Sequence, residues 1–194
     1  MNVSTRCLYN SSFEEFIKAD KNSIFGIIDG GAHGVTPTTT KESWQDEIVI
    51  MKKVLSAFED KNGKIIFEYN IPRLGKRIDI VLLYKGIVFC LEFKTGNQDI
   101  KAANYDQVLD YALDLKNFHK FSQNKLIVPI LVDPKYKNHT TNIQMSVYDD
   151  GVVKPLLAGE NGICDLITKV VKKFPNETSV NDNWVISPYA PTPT

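Results

Sequence analysis

The chain has 194 residues, 43% of them hydrophobic and 24% charged, and its 23 Lys and Arg balance its 23 Asp and Glu. Those values suit one globular α/β domain with a core of ordinary size. Zero net charge argues against tight nonspecific DNA binding, leaving a local basic patch open. Three cysteines, Cys7, Cys90 and Cys164, show no zinc or redox spacing and fit a reduced, cytoplasmic protein. No apolar run reads as a signal peptide or a membrane span, so no membrane partner is expected.

Residues 1–40 read as an accessory segment. Ser11 or Ser12 caps a short helix through Lys18, with Glu14 and Glu15 in its first turn. Ser23 to Ile28 reads as a short strand, and residues 29–40 are loop by composition, with His33 a solvated loop residue. The core is expected over residues 41–175. Its first long helix runs from about Lys41 to Phe58, with Thr39 and Glu42 at capping-box spacing. Trp44, Ile48, Met51, Val54, Leu55 and Phe58 form its apolar stripe. Glu47 falls inside that stripe. It is either a rim residue paired with Lys or Arg, or a member of an acidic site.

Lys64 to Tyr69 is a strand, and residues 71–74 connect it to the stretch from Gly75 to Lys94. There, two runs dense in Ile, Val, Leu and Phe flank Lys85-Gly86. Gly75-Lys76 is not a phosphate-binding loop, because the upstream Gly is missing and Arg77 replaces the Ser or Thr. A two-residue hairpin loop at Lys85-Gly86 pairs Tyr84 with Ile87, Val81 with Cys90 and Asp79 with Glu92. Lys94, two residues on, points to the same face as Glu92. Opposed carboxylates destabilise a sheet, and buried charge is costly unless paired or metal-bound. The hairpin therefore either carries an ionic network or builds a site. Arg73, Lys76 and Arg77 lead basic side chains toward Asp79, as phosphate contacts or as solvated residues.

Thr95-Gly96-Asn97 breaks the strand. A second long helix spans roughly Asp99 to Phe118, with Gln107 and Tyr111 stacked four residues apart. Lys125 to Val132 is a strand in which Pro129 suggests an edge or irregular position. Residues 144–148 and 152–157 are further candidate strands, and Ile163 to Phe174 is an amphipathic packing helix. His119 and His139 lack a partner pattern. Lys116, Lys120 and Lys125 form a second basic group. Residues 176–194 show little periodicity and read as an extended Pro/Thr linker.

The series Glu47, Asp79, Glu92-Phe93-Lys94 and Gln107-x-x-x-Tyr111 resembles the PD-(D/E)XK nuclease superfamily, in its RecB-like branch, with Ile78 in place of the usual Pro. The resemblance implies a restriction-endonuclease-like αβββαβ core, an α/β fold with a mixed sheet flanked by helices. It implies that Asp79, Glu92, Glu47 and the Phe93 backbone carbonyl hold Mg²⁺ or Mn²⁺, and that Lys94 positions the attacking water. Gln107 and Tyr111 would complete the catalytic set and, with Arg73, Lys76 and Arg77, contact nucleic acid. The implied activity is metal-dependent hydrolysis of phosphodiester bonds, with DNA the favoured substrate. The phrase from Phe67 to Asp79 and the Pro-rich tail resemble the N-terminal nuclease-like domain of bacterial Schlafen-like helicase proteins, which implies a helicase domain in the same full-length chain. Two rival expectations keep the fold without the chemistry: a non-cleaving module that docks nucleic acid or a partner, and a structural domain with a buried ion-pair network.

Overall fold

The computed structural model describes residues 6–32, 34–94, 99–137, 144–176, 179–180 and 183–190. The strand break expected at Thr95-Gly96-Asn97, and His33 and His139, lie outside these residues. The first strand, β1 (Tyr9–Ser12), runs directly into α1 (Phe13–Lys18). Ser12 makes the expected cap: its hydroxyl accepts the Glu15 N–H at 3.2 Å, and Glu15 accepts the Ser12 N–H at 3.0 Å.

Residues 23–28 are not a strand. They form the middle of α2 (Lys21–Gly31), whose start is capped by the Asp20 side chain accepting from the Asn22 and Ser23 N–H groups. Ile24 and Ile28, one helical turn apart, are buried against the rest of the core, and that burial overrides the β preference of the local sequence. The next helix, α3 (Thr38–Ala57), begins earlier than expected. Thr39 lies inside its first turn, so Thr39 and Glu42 form no capping box; Pro37 occupies the cap position without a side-chain bond. Within the segment read as accessory, β1 joins the main sheet, and Phe13, Phe16, Ile24 and Ile28 enter the core.

The remaining elements are β2 (Gly63–Ile71), β3 (Lys76–Tyr84), β4 (Ile87–Phe93), α4 (Ala102–Phe118), β5 (Ile127–Val132), β6 (Leu156–Ala158) and α5 (Ile163–Lys173). The six strands stand in the order β1-β2-β3-β4-β5-β6. Neighbours from β1 to β4 are antiparallel, and β4-β5 and β5-β6 are parallel. The fold is α/β, a mixed sheet flanked by helices. Side chains of α1, α2, α3 and α5 pack with Ile65, Phe67, Ile80, Leu82 and Phe89 on one face. The other face packs Ile66, Val81, Val88 and Cys90 against Tyr111, Ala112 and Leu115 of α4. No helix among the described residues is long and apolar enough to cross a membrane.

The β3–β4 hairpin closes through Lys85 at φ 50° and Gly86 at φ 73°. Two successive left-handed residues make the loop whose twist matches the strands. The register Tyr84↔Ile87 and Val81↔Cys90 follows. Paired residues stop at Ile80↔Leu91, one step short of Asp79 and Glu92. Beyond that point the Asp79 carboxylate itself accepts the Phe93 N–H at 2.7 Å.

The β2–β3 ladder has a matching interruption. It runs through Phe67↔Ile80 and resumes at Tyr69↔Ile78, skipping Glu68 and Asp79. Glu68 sits at φ 54°, a left-handed conformation that a non-glycine residue seldom adopts. Strict alternation would put Phe67 and Tyr69 on one face, yet they pack in opposite cores, as do Ile80 and Ile78. The two carboxylates thus stand side by side where both strands change face.

Pro129 is on an interior strand, not an edge. Ile127 bonds the 151–153 segment through both its N–H and its carbonyl, so Pro129, two residues on, turns its missing N–H the same way. The gap it leaves falls between the Ile127↔Val152 bridge and the ladder that starts at Ile130↔Leu156. Residues 144–148 contribute only a bridge, Val147↔Val153.

Residues 183–190 also depart from the expected linker. Trp184 is fully buried in a short 3-10 turn, and Tyr189 bridges His119. His119, without a partner pattern in sequence, is buried between Ser122 and Trp184.

Candidate active site

The interrupted ends of β2, β3 and β4 meet the start of α3 at a pocket of about 330 Å³, whose lining includes Ser43, Trp44, Glu47, Glu68, Asp79 and Glu92. Glu47 arrives from the buried stripe of α3 and is only 2% exposed. The Ser43 hydroxyl donates to its Oε1 at 2.7 Å, while Oε2 is buried without a hydrogen-bond partner. Burial pushes its carboxyl up to about 8; the Ser43 bond opposes this, and the charges of Glu68, Glu92 and Asp46 add to it. Asp79 is raised well above the carboxylate range by burial and by Glu92, Glu47 and Glu68, with the Phe93 N–H as a partial offset.

Glu92 comes from β4 and is 5% exposed. Its Oε1 accepts from Lys94 Nζ at 2.9 Å and from Gln107 Nε2 at 2.7 Å, and its Oε2 is a second buried oxygen without a partner. Gln107 spends its other N–H on the Tyr111 hydroxyl at 2.7 Å and accepts from Lys94 through Oε1 at 3.2 Å. Lys94, Glu92, Gln107 and Tyr111 therefore form one continuous hydrogen-bonded line joining β4 to α4. The four-residue spacing of Gln107 and Tyr111 is what lets one helix present both.

The basic residues divide. Arg77 reaches the pocket lip and pairs with Glu68 at 3.3 Å. Lys76 is exposed. Arg73, expected as a phosphate contact, is committed to the end of α4: its guanidinium lies 3.4 Å from the Phe118 ring centroid and its Nε 3.6 Å from Asp114. Asp114 is 7% exposed, and a carboxylate that buried draws the nearest cation. A larger groove of about 770 Å³ lies by the β3–β4 turn, but two of its lysines, Lys61 and Lys85, have structural work. Lys61 there caps the last carbonyls of α3, and Lys85 pairs with Asp60.

Glu68 is the site residue that sequence reasoning missed. Its only trace is a charge interrupting the apolar run Ile65-Ile66-Phe67-Glu68-Tyr69. Trp44 Nε1 donates to its Oε1 at 2.9 Å, so a residue of the apolar stripe also braces the pocket.

Among the described residues no group of three or more His, Cys, Asp or Glu side chains is arranged so that it could hold a metal ion. The donor chemistry is nonetheless of the kind that hard divalent cations take: Glu47, Glu68, Asp79 and Glu92 line one pocket with oxygen donors, and Glu47 and Glu92 each carry a buried oxygen without a hydrogen-bond partner among the described residues. The chain matches no family model, no curated protein and no solved structure.

The raised carboxyl of Glu47 makes a pH prediction. A group held protonated up to about 8 when folded, and ionising near its ordinary 4.5 when unfolded, stabilises fully below 4.5. That contribution is lost as pH climbs toward 8. Without divalent cations, Glu47→Gln should raise the melting temperature at pH 8 more than at pH 5. Equal shifts at the two pH values would show that Glu47 ionises normally.

Proposed function

We propose that this chain is a metal-dependent nuclease of the PD-(D/E)XK kind, hydrolysing phosphodiester bonds in nucleic acid, with DNA the first substrate to test. The observation that carries the reading is the line Lys94–Glu92–Gln107–Tyr111 running into a pocket where Glu47 and Glu92 each keep a buried, unsatisfied oxygen. A purely structural ion-pair network gains stability by satisfying every member or by turning apolar. Two buried carboxyl oxygens left without partners support a site with a chemical demand.

Asp79, Glu92 and Glu47 would hold Mg²⁺ or Mn²⁺, with the Phe93 carbonyl beside them. Such an ion supplies Lewis-acid stabilisation of the charge that develops on phosphoryl and leaving oxygens. The protein's own part is positional. Lys94 has three N–H donors and gives two, to Glu92 and Gln107. Its third would orient an attacking water or offset phosphate charge. Gln107 locks Lys94 and Glu92 to each other, and Tyr111 locks Gln107 to the helix. Arg77, beside Glu68, and the exposed Lys76 would contact substrate phosphates. On the Schlafen-like resemblance, the domain serves as the cutting module of a helicase-containing protein.

The test is a panel of single- and double-stranded DNA and RNA with Mg²⁺ or Mn²⁺, beside melting curves with and without the ion. Wild type should cleave, stop in EDTA, and melt higher with the cation by ligand linkage. Asp79→Ala should lose both cleavage and most of the melting shift. Binding of nucleic acid with no metal-dependent cleavage would favour the non-cleaving docking module instead.

A further inference from the structure

We propose that Glu68 is a fourth working carboxylate of this pocket, held by an exchangeable ion pair with Arg77, and that a substrate phosphate taking Arg77 turns the charge of Glu68 toward the cation. The inference rests on the cation reading of the site. Its starting point is an uneven pairing of the acidic groups. Of the four carboxylates lining the pocket, Lys94 pairs with Glu92 and Arg77 with Glu68, while Glu47 and Asp79 have no ion pair among the described residues. The unpartnered Oε2 atoms of Glu47 and Glu92, on side chains 2% and 5% exposed, belong to this same pocket.

Glu68 is built into the site at some cost. Its backbone is left-handed, where Gly or Asn is the usual choice, and the strand ladder is broken beside Asp79 to admit it. One oxygen is fixed by the Trp44 indole at 2.9 Å. The other meets Arg77 through a single contact at 3.3 Å, longer than the roughly 2.7–2.9 Å of a good charge-assisted bond. The Glu68 side chain is 12% exposed and that of Arg77 44%. The cation is thus on the solvent side of the pair. A phosphate offers a guanidinium the two-point contact that Glu68, already engaged with Trp44, does not.

Isothermal titration of the full chain with Mn²⁺ alone separates the possibilities. Glu68→Gln should weaken Mn²⁺ binding roughly tenfold or more, the scale seen when a supporting carboxylate of a metal site is removed. Glu68→Asn, which tolerates the left-handed backbone, should weaken it equally and melt no lower than Glu68→Gln. Arg77→Gln should tighten Mn²⁺ binding several-fold, because it removes the competing cation, and the double variant should match Glu68→Gln. A cleavage-resistant phosphorothioate oligonucleotide should tighten Mn²⁺ more in wild type than in Arg77→Gln. If both Glu68 variants bind Mn²⁺ like wild type while Asp79→Ala does not, Glu68 has no such role and the cation reading stands. If Arg77→Gln weakens binding or leaves it unchanged, or the oligonucleotide acts equally on both, the exchange is refuted. If wild type takes up no Mn²⁺, the cation reading falls and this inference with it.

Discussion

Lys94→Ala should reduce cleavage about 10²- to 10³-fold, the usual loss when a positioned donor facing developing charge is removed, while leaving the cation-induced rise in melting temperature in place. The separation follows from chemistry: an ammonium donates and cannot accept, so it is no ligand for a cation. Lys94 sits 2.9 Å from Glu92 and 3.2 Å from Gln107, close enough to act on whatever Glu92 holds. Its removal also frees Glu92 Oε1 from one competitor, so cation affinity should not fall. Gln107→Ala should cost less in cleavage, because Gln107 orients its neighbours and donates no charge. Single-turnover cleavage and melting curves on the same preparations measure both effects. A Lys94→Ala protein that cuts like wild type would remove Lys94 from the mechanism. One that loses the melting shift together with cleavage would mean that Lys94 holds the site together.

Trp184→Ala should destabilise the fold by about 3–5 kcal/mol, the range for truncating a large buried aromatic. The residue closes a ring of hydrogen bonds. Its indole N–H donates to Ser122 Oγ at 2.9 Å, and Ser122 lies 2.8 Å from His119 Nδ1. His119 Nε2 lies 3.0 Å from the Trp184 carbonyl, which can only accept. The proton is therefore on Nε2, Ser122 donates to Nδ1, and every member is satisfied by a neutral imidazole. Burial agrees, pushing His119 down to about 3. The indole also packs 4.7 Å from Tyr69 and 4.2 Å from His119 between ring centroids. Deleting it opens a cavity and leaves the Ser122 oxygen without its donor in a dry place. Urea unfolding monitored by circular dichroism reads the change directly. A loss under about 1 kcal/mol, the size of a single net hydrogen bond, would mean that residues 183–190 rest on the core without supporting it.

How much of this was legible beforehand differs from residue to residue. Lys85-Gly86 determined the hairpin register, because a two-residue loop with left-handed geometry leaves one way to pair the strands. The stripe of Trp44, Ile48 and Met51 determined that Glu47 faces inward, since helical period alone decides which side a residue takes. The four-residue spacing of Gln107 and Tyr111 determined that their side chains meet. Each is a local rule, satisfied within one turn or one hairpin.

The features that escaped all depend on distant partners. Residues 23–28 read as a strand by composition, and only burial of Ile24 and Ile28 in the shared core made them helix. Arg73 went to Asp114 and Phe118, forty residues or more away in sequence, because a buried carboxylate outbid solvent for the nearest cation. Trp184 stands in a stretch without periodicity, so nothing local marked it as an anchor; its ring with Ser122 and His119 spans more than sixty residues. Glu68 is the clearest case. Its side chain enters the pocket only because β2 and β3 change face together, and that change is set by how two strands fit opposite cores rather than by either strand's own sequence.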